Sequence, residues 1–193
     1  MRKIKAFQLI DNAHSNDPQI EKIDQQEIPK ELLYSNRMST WLLKFEPQAN
    51  EIQEIAAKCQ HLYRWEIARS DYPLGKKGYH RWRIFLYDYQ ANKAADIMEQ
   101  CDYSSEEIDS VKQMVAKKSL KDSADSQLLE DVTCLVFIDY YLEEFSTKHD
   151  DQKLIKIILR TWKKMSPKAH QFALEMSHST KVLTLIKSAL EVK

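Results

Sequence analysis

Glycine occurs at only two of 193 positions, Gly75 and Gly78. P-loop and Rossmann phosphate sites need glycines where the backbone meets a phosphate, so two glycines cannot build either. A turn-rich β-sandwich or barrel is disfavoured for the same reason. Helical spacing of apolar residues fills the chain instead. It predicts helices near 3–14, 31–46, 49–66, 80–100, 104–118, 125–147, 151–164, 167–177 and 180–191. Asp17-Pro18, Ile28-Pro29 and Pro47 mark breaks between them. Ser104 with Glu107 reads as a capping box, and Ser166-Pro167 places proline in a first helical turn. Residues 15–30 read as a polar loop. No fixed-period repeat occurs. Hydrophobic residues make up 43%, enough for a core at this length. The expectation is one compact all-α, multi-helix domain over residues 1–193.

Charge narrows the partners. Lys+Arg and Asp+Glu are both 29, so the formal net charge is zero. That argues against a broadly basic nucleic-acid surface. The longest apolar stretch, around Cys134 to Ile138, is far short of a membrane span, and the start of the chain turns polar too soon for a secretory signal. Three cysteines without CxxC spacing suit a reducing, cytoplasmic setting. The zero sum hides local polarity. Residues 58–83 carry seven Lys or Arg against Glu66 and Asp71, whereas 96–110 carry six acids and no Lys or Arg.

Three regions could carry chemistry. The run from Leu128 to Leu142 is apolar in nearly every helical direction, so Glu130 and Asp131 in it need a partner, a metal or a cavity rim. The competing reading is stabilisation of a helix start by the dipole, worth about 0.3–1 kcal/mol. Asp131 shares a face with Leu128, Leu135 and Ile138 and is the stronger candidate. His61 stands one turn from Arg64 and Trp65. It reads as a hydrogen-bonded core histidine or as a metal ligand whose other ring nitrogen is held by an acceptor. The segment 67–83 reads as a long basic and aromatic loop. Arg64, Arg69, Lys76 and Arg83 could fork onto a small anionic ligand, Tyr72 and Tyr79 could stack on it, and His80 could touch it. Its alternative is a structural loop tied to carboxylates. The expectation is that the third and sixth helices bring His61 and Asp131 to one hollow beneath that loop.

Asn16-Asp17-Pro18, Leu33-Tyr34-Ser35-Asn36-Arg37-Met38, Gln60-His61-Leu62-Tyr63-Arg64-Trp65, Tyr72-Pro73, Gly78-Tyr79-His80-Arg81-Trp82-Arg83, Leu129-Glu130-Asp131-Val132, Cys134-Leu135-Val136-Phe137 and Thr161-Trp162-Lys163-Lys164-Met165-Ser166 follow in order. Together they resemble an uncharacterised domain-of-unknown-function family of bacteria and fungi, some of whose members carry the label glutamyl-tRNA synthetase. Nothing here resembles that enzyme's ATP site. A more distant resemblance is to the HD superfamily of helical phosphohydrolases. It implies a divalent metal on His61 and Asp131, Glu130 as an orienting group or general base, and hydrolysis of a small phosphorylated or other anionic substrate. The same resemblance places a histidine where this chain has Gln90, with Asp88 nearby, and a proline where it has Ala68. Those departures favour the alternative: a non-catalytic anionic-ligand-binding protein, or a helical interaction protein whose polarised charge pairs two chains as a homodimer.

Overall fold

A hairpin stands where the sequence reads as loop. In the computed structural model, which describes residues 1–118 and 123–191, β1 (Ile20–Ile23) and β2 (Gln26–Pro29) pair antiparallel, with Ile20 opposite Pro29 and Ile23 opposite Gln26. The turn residues Asp24 and Gln25 both have positive φ, 49° and 68°. That is the primed-turn geometry that suits a two-residue hairpin. Asp-Gln is a weak signal for it beside Asn-Gly, which is why composition alone hides it. The rest is helical: the described residues are 73% helix, with ten α-helices. The all-α expectation stands.

The chain divides into two compact units, residues 1–129 and 130–193. The first holds α1 (Arg2–His14), the hairpin, α2 (Lys30–Phe45), α3 (Glu51–Lys58), two short 3-10 turns (Arg64–Glu66 and Arg69–Asp71), α4 (Gly75–Glu99), α5 (Ser105–Val115) and the start of α6 (Ala124–Val136). α4 packs along α5, and α3 packs on α2 and α5. Ile10, Met38, Trp41, Leu42, Ile55 and Leu86 are sealed in its core. The second unit continues α6 through a π-turn (Phe137–Tyr141) into α7 (Leu142–Lys148). It then adds α8 (Asp151–Trp162), α9 (Pro167–Leu174) and α10 (Thr180–Glu191). The expected single helix over 125–147 is therefore interrupted by the wider π-turn, at a cluster of bulky aromatics. α8 and α10 pack together and bury Leu154, Ile158, Val182 and Leu185. Among the described residues no helix is long and apolar enough to cross a membrane. Cys59, Cys101 and Cys134 are buried and form no disulfide among the described residues.

Two boundaries differ from the sequence expectation, and both shape the candidate site. The helix expected over 49–66 stops at Lys58. Its terminal carbonyl accepts hydrogen bonds from His14 Nε2 at 2.9 Å and Ser35 Oγ at 3.0 Å. The chain then turns through two left-handed residues, His61 at φ 64° and Tyr63 at φ 53°, pinned by fully buried Leu62 between them. The basic segment is also less of a loop than expected. α4 begins at Gly75, so the connection shrinks to 67–74, and Lys76, Tyr79, His80 and Arg83 belong to a helix.

Both glycines answer to geometry here. Gly75 sits at φ 83°, where a side chain is strained, and a Cβ on Gly78 would overlap the backbone of Pro73. In an exposed helix, Gly→Ala stabilises by about 1 kcal/mol. Gly78→Ala is expected to do the reverse and destabilise by about 2 kcal/mol, a fall of roughly 4–8 °C in Tm by calorimetry. An unchanged or raised Tm would show that Pro73 does not press on the helix.

Candidate functional site

α2 carries an inward stripe of Tyr34, Met38, Trp41, Leu42 and Phe45, at helical spacing. Extended back one turn, that stripe reaches Glu31, whose side chain is only 7% exposed. An ionised carboxylate so placed needs partners. Asp17, itself buried, fixes the backbone there: its Oδ2 accepts the Glu31 amide N–H at 3.0 Å and its Oδ1 accepts that of Gln19 at 2.9 Å. Pro29 at the start of α2 offers no capping side chain, and Asp17 takes over that task.

The partner of Glu31 is His61. Its Nδ1 lies 2.9 Å from Glu31 Oε2. Tyr34, one turn along α2, stacks on the imidazole with ring centroids 4.0 Å apart and planes 12° from parallel. One side chain thus sets the direction of the ring and the other covers its face. Burial, and then the neighbouring Arg64, push the His61 pKa down to about 4, against a smaller pull upward from Glu31. Burial pushes the Glu31 carboxyl the other way, but His61 and Arg64 outweigh it and hold it below the usual carboxylate range. At neutral pH the pair is therefore a carboxylate and a neutral imidazole. A carboxylate only accepts, so the proton sits on Nδ1 and the lone pair on Nε2. The His61 side chain keeps 26% of its surface exposed, and no described residue partners Nε2.

Cations flank this imidazole. Arg64 Nε lies 3.7 Å from Glu31 Oε1, close enough for attraction but too long for a hydrogen bond. Its guanidinium lies over the Trp82 ring, 5.0 Å from the centroid. Trp82 is held by its indole N–H, which donates to the Ile67 carbonyl at 2.9 Å. Arg83 is near enough to depress both the Arg64 and the His61 pKa. It is held on α4 by the Tyr79 hydroxyl at 3.4 Å and by the Tyr87 hydroxyl. Arg64 thus shares Glu31 with His61, and the charge of Arg83 reaches both Arg64 and His61.

The other expected ligand residues sort differently. Arg69 donates to the carbonyls of Tyr72 and Pro73, at 2.8 and 3.0 Å, and so clasps the connection before α4. The Tyr72 ring packs near Phe85. Lys76 and His80 stand exposed on the first turns of α4, and Tyr79 is partly exposed beside Trp82. Gln90 is buried with its Nε2 unpartnered among the described residues, and Asp88 faces Lys118 at 3.3 Å on the surface.

Glu130 and Asp131 belong to the second unit. α6 starts at Ala124, so both lie well past the first turn, where the dipole effect fades. Both are buried. Glu130 Oε1 accepts from Lys164 Nζ at 2.8 Å, and Asp131 Oδ1 accepts the Ser166 amide N–H at 2.7 Å. Ser166 caps α9 with its own hydroxyl. The two acids thus hold the turn between α8 and α9. Among the described residues no three His, Cys, Asp or Glu side chains lie together where they could hold a metal ion.

The chain matches the family model described as a domain of unknown function (DUF4202) over residues 4–186. It belongs to that family. No curated protein and no solved structure matches it. The DUF4202 match takes in the whole His61 constellation as well as the Glu130 and Asp131 tethers.

Glu31, Tyr34 and Trp82 belong to this His61 cluster but are not among the candidate site residues read from the sequence. The available signal is the acid at the head of the apolar stripe of α2. The His61 and His14 pKa values are both lowered, chiefly by burial. Between about pH 6.5 and pH 4 the unfolded chain therefore takes up protons that the folded chain refuses. Stability should fall as pH drops through that window, with His61 contributing up to about 3 kcal/mol. His61→Gln, which keeps a donor for Glu31, should flatten the fall in denaturant titrations. An unchanged pH profile would contradict a neutral His61. Asp131→Ala should cost about 1–2 kcal/mol, because it removes the partner of the half-buried Ser166 amide.

Proposed function

We propose that the His61 site binds a small phosphorylated or similarly anionic molecule and hydrolyses it, with the imidazole as general base. The observation that carries this reading is the bare Nε2 lone pair of a histidine oriented through Nδ1 by buried Glu31, with Arg64 alongside. Two left-handed residues close together, His61 and Tyr63, support it, because strain of about 1–3 kcal/mol each tends to be kept where a site needs it.

The chemistry balances without further groups. Arg64 and Arg83 hold the anionic oxygens. Water adds to the phosphoryl or acyl centre while Nε2 takes its proton. Glu31 stabilises the imidazolium so formed. The bond to the leaving oxygen breaks, and the imidazolium returns the proton to that oxygen. A pKa near 4 makes His61 a weak base in the free protein. An anion seated beside it stabilises the protonated ring and raises that pKa toward the working range. The exposed Tyr79 ring beside Arg83 suits a substrate with a planar portion.

A second reading is binding without turnover. Gln90, in place of the histidine that the phosphohydrolase resemblance calls for, favours it. Thermal shift with inorganic phosphate and a panel of sugar and nucleoside phosphates separates the two, read beside release of inorganic phosphate. The hydrolase reading expects stabilisation by at least one compound with turnover, binding lost in Arg64→Ala, and turnover down about 100-fold or more in His61→Gln with binding kept. Stabilisation without turnover selects the second reading. No stabilisation by any anion removes both.

A further inference from the structure

α4 has an outer face that neither the core nor the His61 site uses. Lys77, Arg81, Ile84 and Asp88 follow one another at spacings of four, three and four residues, which places them in a single stripe. Trp82 and Leu86, buried, lie on the opposite side of the helix, and Gly78 abuts Pro73. Ile84 is 63% exposed and its neighbour Phe85 is 50% exposed, with Leu74 at 95% just before the helix. Ile84 and Phe85, adjacent, large, apolar and exposed, rimmed by Arg81 and Asp88, mark an interaction surface.

The order of charge says what covers it. Cations, Lys77 and Arg81, precede the apolar pair, and Asp88 follows it, so the stripe is complementary to its own reverse. We infer that the outer face of α4 pairs antiparallel with the same face of a second copy of this chain, around a two-fold axis passing between Ile84 and Phe85. That axis sets Ile84 against Phe85 of the partner subunit and Arg81 against Asp88 of the partner subunit, twice over. Such an isologous contact closes on itself and leaves no free patch to propagate. The existing contact of Asp88 with Lys118, at 3.3 Å, joins two exposed groups, 53% and 65%, and is a weak competitor. The seam is short beside the roughly 1,000 Å² of a strong interface, so the dimer is concentration dependent. Arg83, Tyr79 and Tyr87 project from another side of α4, and the His61 site does not depend on this pairing.

The test is sedimentation equilibrium of the full chain across a range of concentrations, with circular dichroism to confirm that each variant is folded. Wild type is expected to dimerise. Arg81→Glu and Asp88→Arg each set like charges face to face and should weaken association about tenfold or more. The double variant, Arg81→Glu with Asp88→Arg, restores opposite charges and should regain association. Ile84→Glu should abolish it. A wild type that stays monomeric overturns the inference. So do single variants that dimerise normally, or a double variant as weak as the singles.

Discussion

One hydrogen bond anchors the candidate site of the first unit: a buried carboxylate on α2 holds the Nδ1 proton of His61. A buried acid in an apolar stripe is costly unless something meets it, and here His61 and Arg64 meet it together. In return, the acid leaves the second ring nitrogen without a partner among the described residues. Tyr34 stacks on the ring, so its orientation is set twice. The strained turn, the end of α3 and the start of α2 all serve that placement. Lys58 ends its helix on hydrogen bonds from His14 and Ser35, and Asp17 fixes the backbone under Glu31.

The two acids of α6 are buried as well, with different partners. Glu130 and Asp131 are as buried as Glu31, but Lys164 and the Ser166 amide meet them, and both hold a turn in place. At His61, Nε2 has no partner among the described residues and Arg64 stands beside Glu31, whereas the Asp131 oxygen facing Ser166 completes a helix start.

Much of the fold was legible, and the reasons it was not elsewhere are local. Helices bounded by proline or by a capping box, such as α5 after Ser104 and α9 after Ser166, fall close to where the sequence places them. The hairpin was hidden because Asp24-Gln25 is a poor turn signature and its strands are only four residues long. α3 ended early because tertiary partners took its last carbonyl, which no periodicity can reveal. α4 began early because Gly75 and Gly78 serve a tight entry against Pro73, although glycine is read by default as loop. At the site, His61, Arg64 and Arg83 were visible as a basic and aromatic cluster. Glu31 was not, because it lies 30 residues upstream and looks like an ordinary acid in a first helical turn.

The central claim concerns one proton, and nitrogen-detected NMR of the His61 imidazole reads it directly. The account predicts the Nδ1–H tautomer at neutral pH, an unprotonated Nε2, and titration near pH 4 that shifts upward when an anion binds. An Nε2–H tautomer, or an ordinary titration near pH 6.5, would mean that Glu31 does not hold the ring as described, and the proposed chemistry would lose its base.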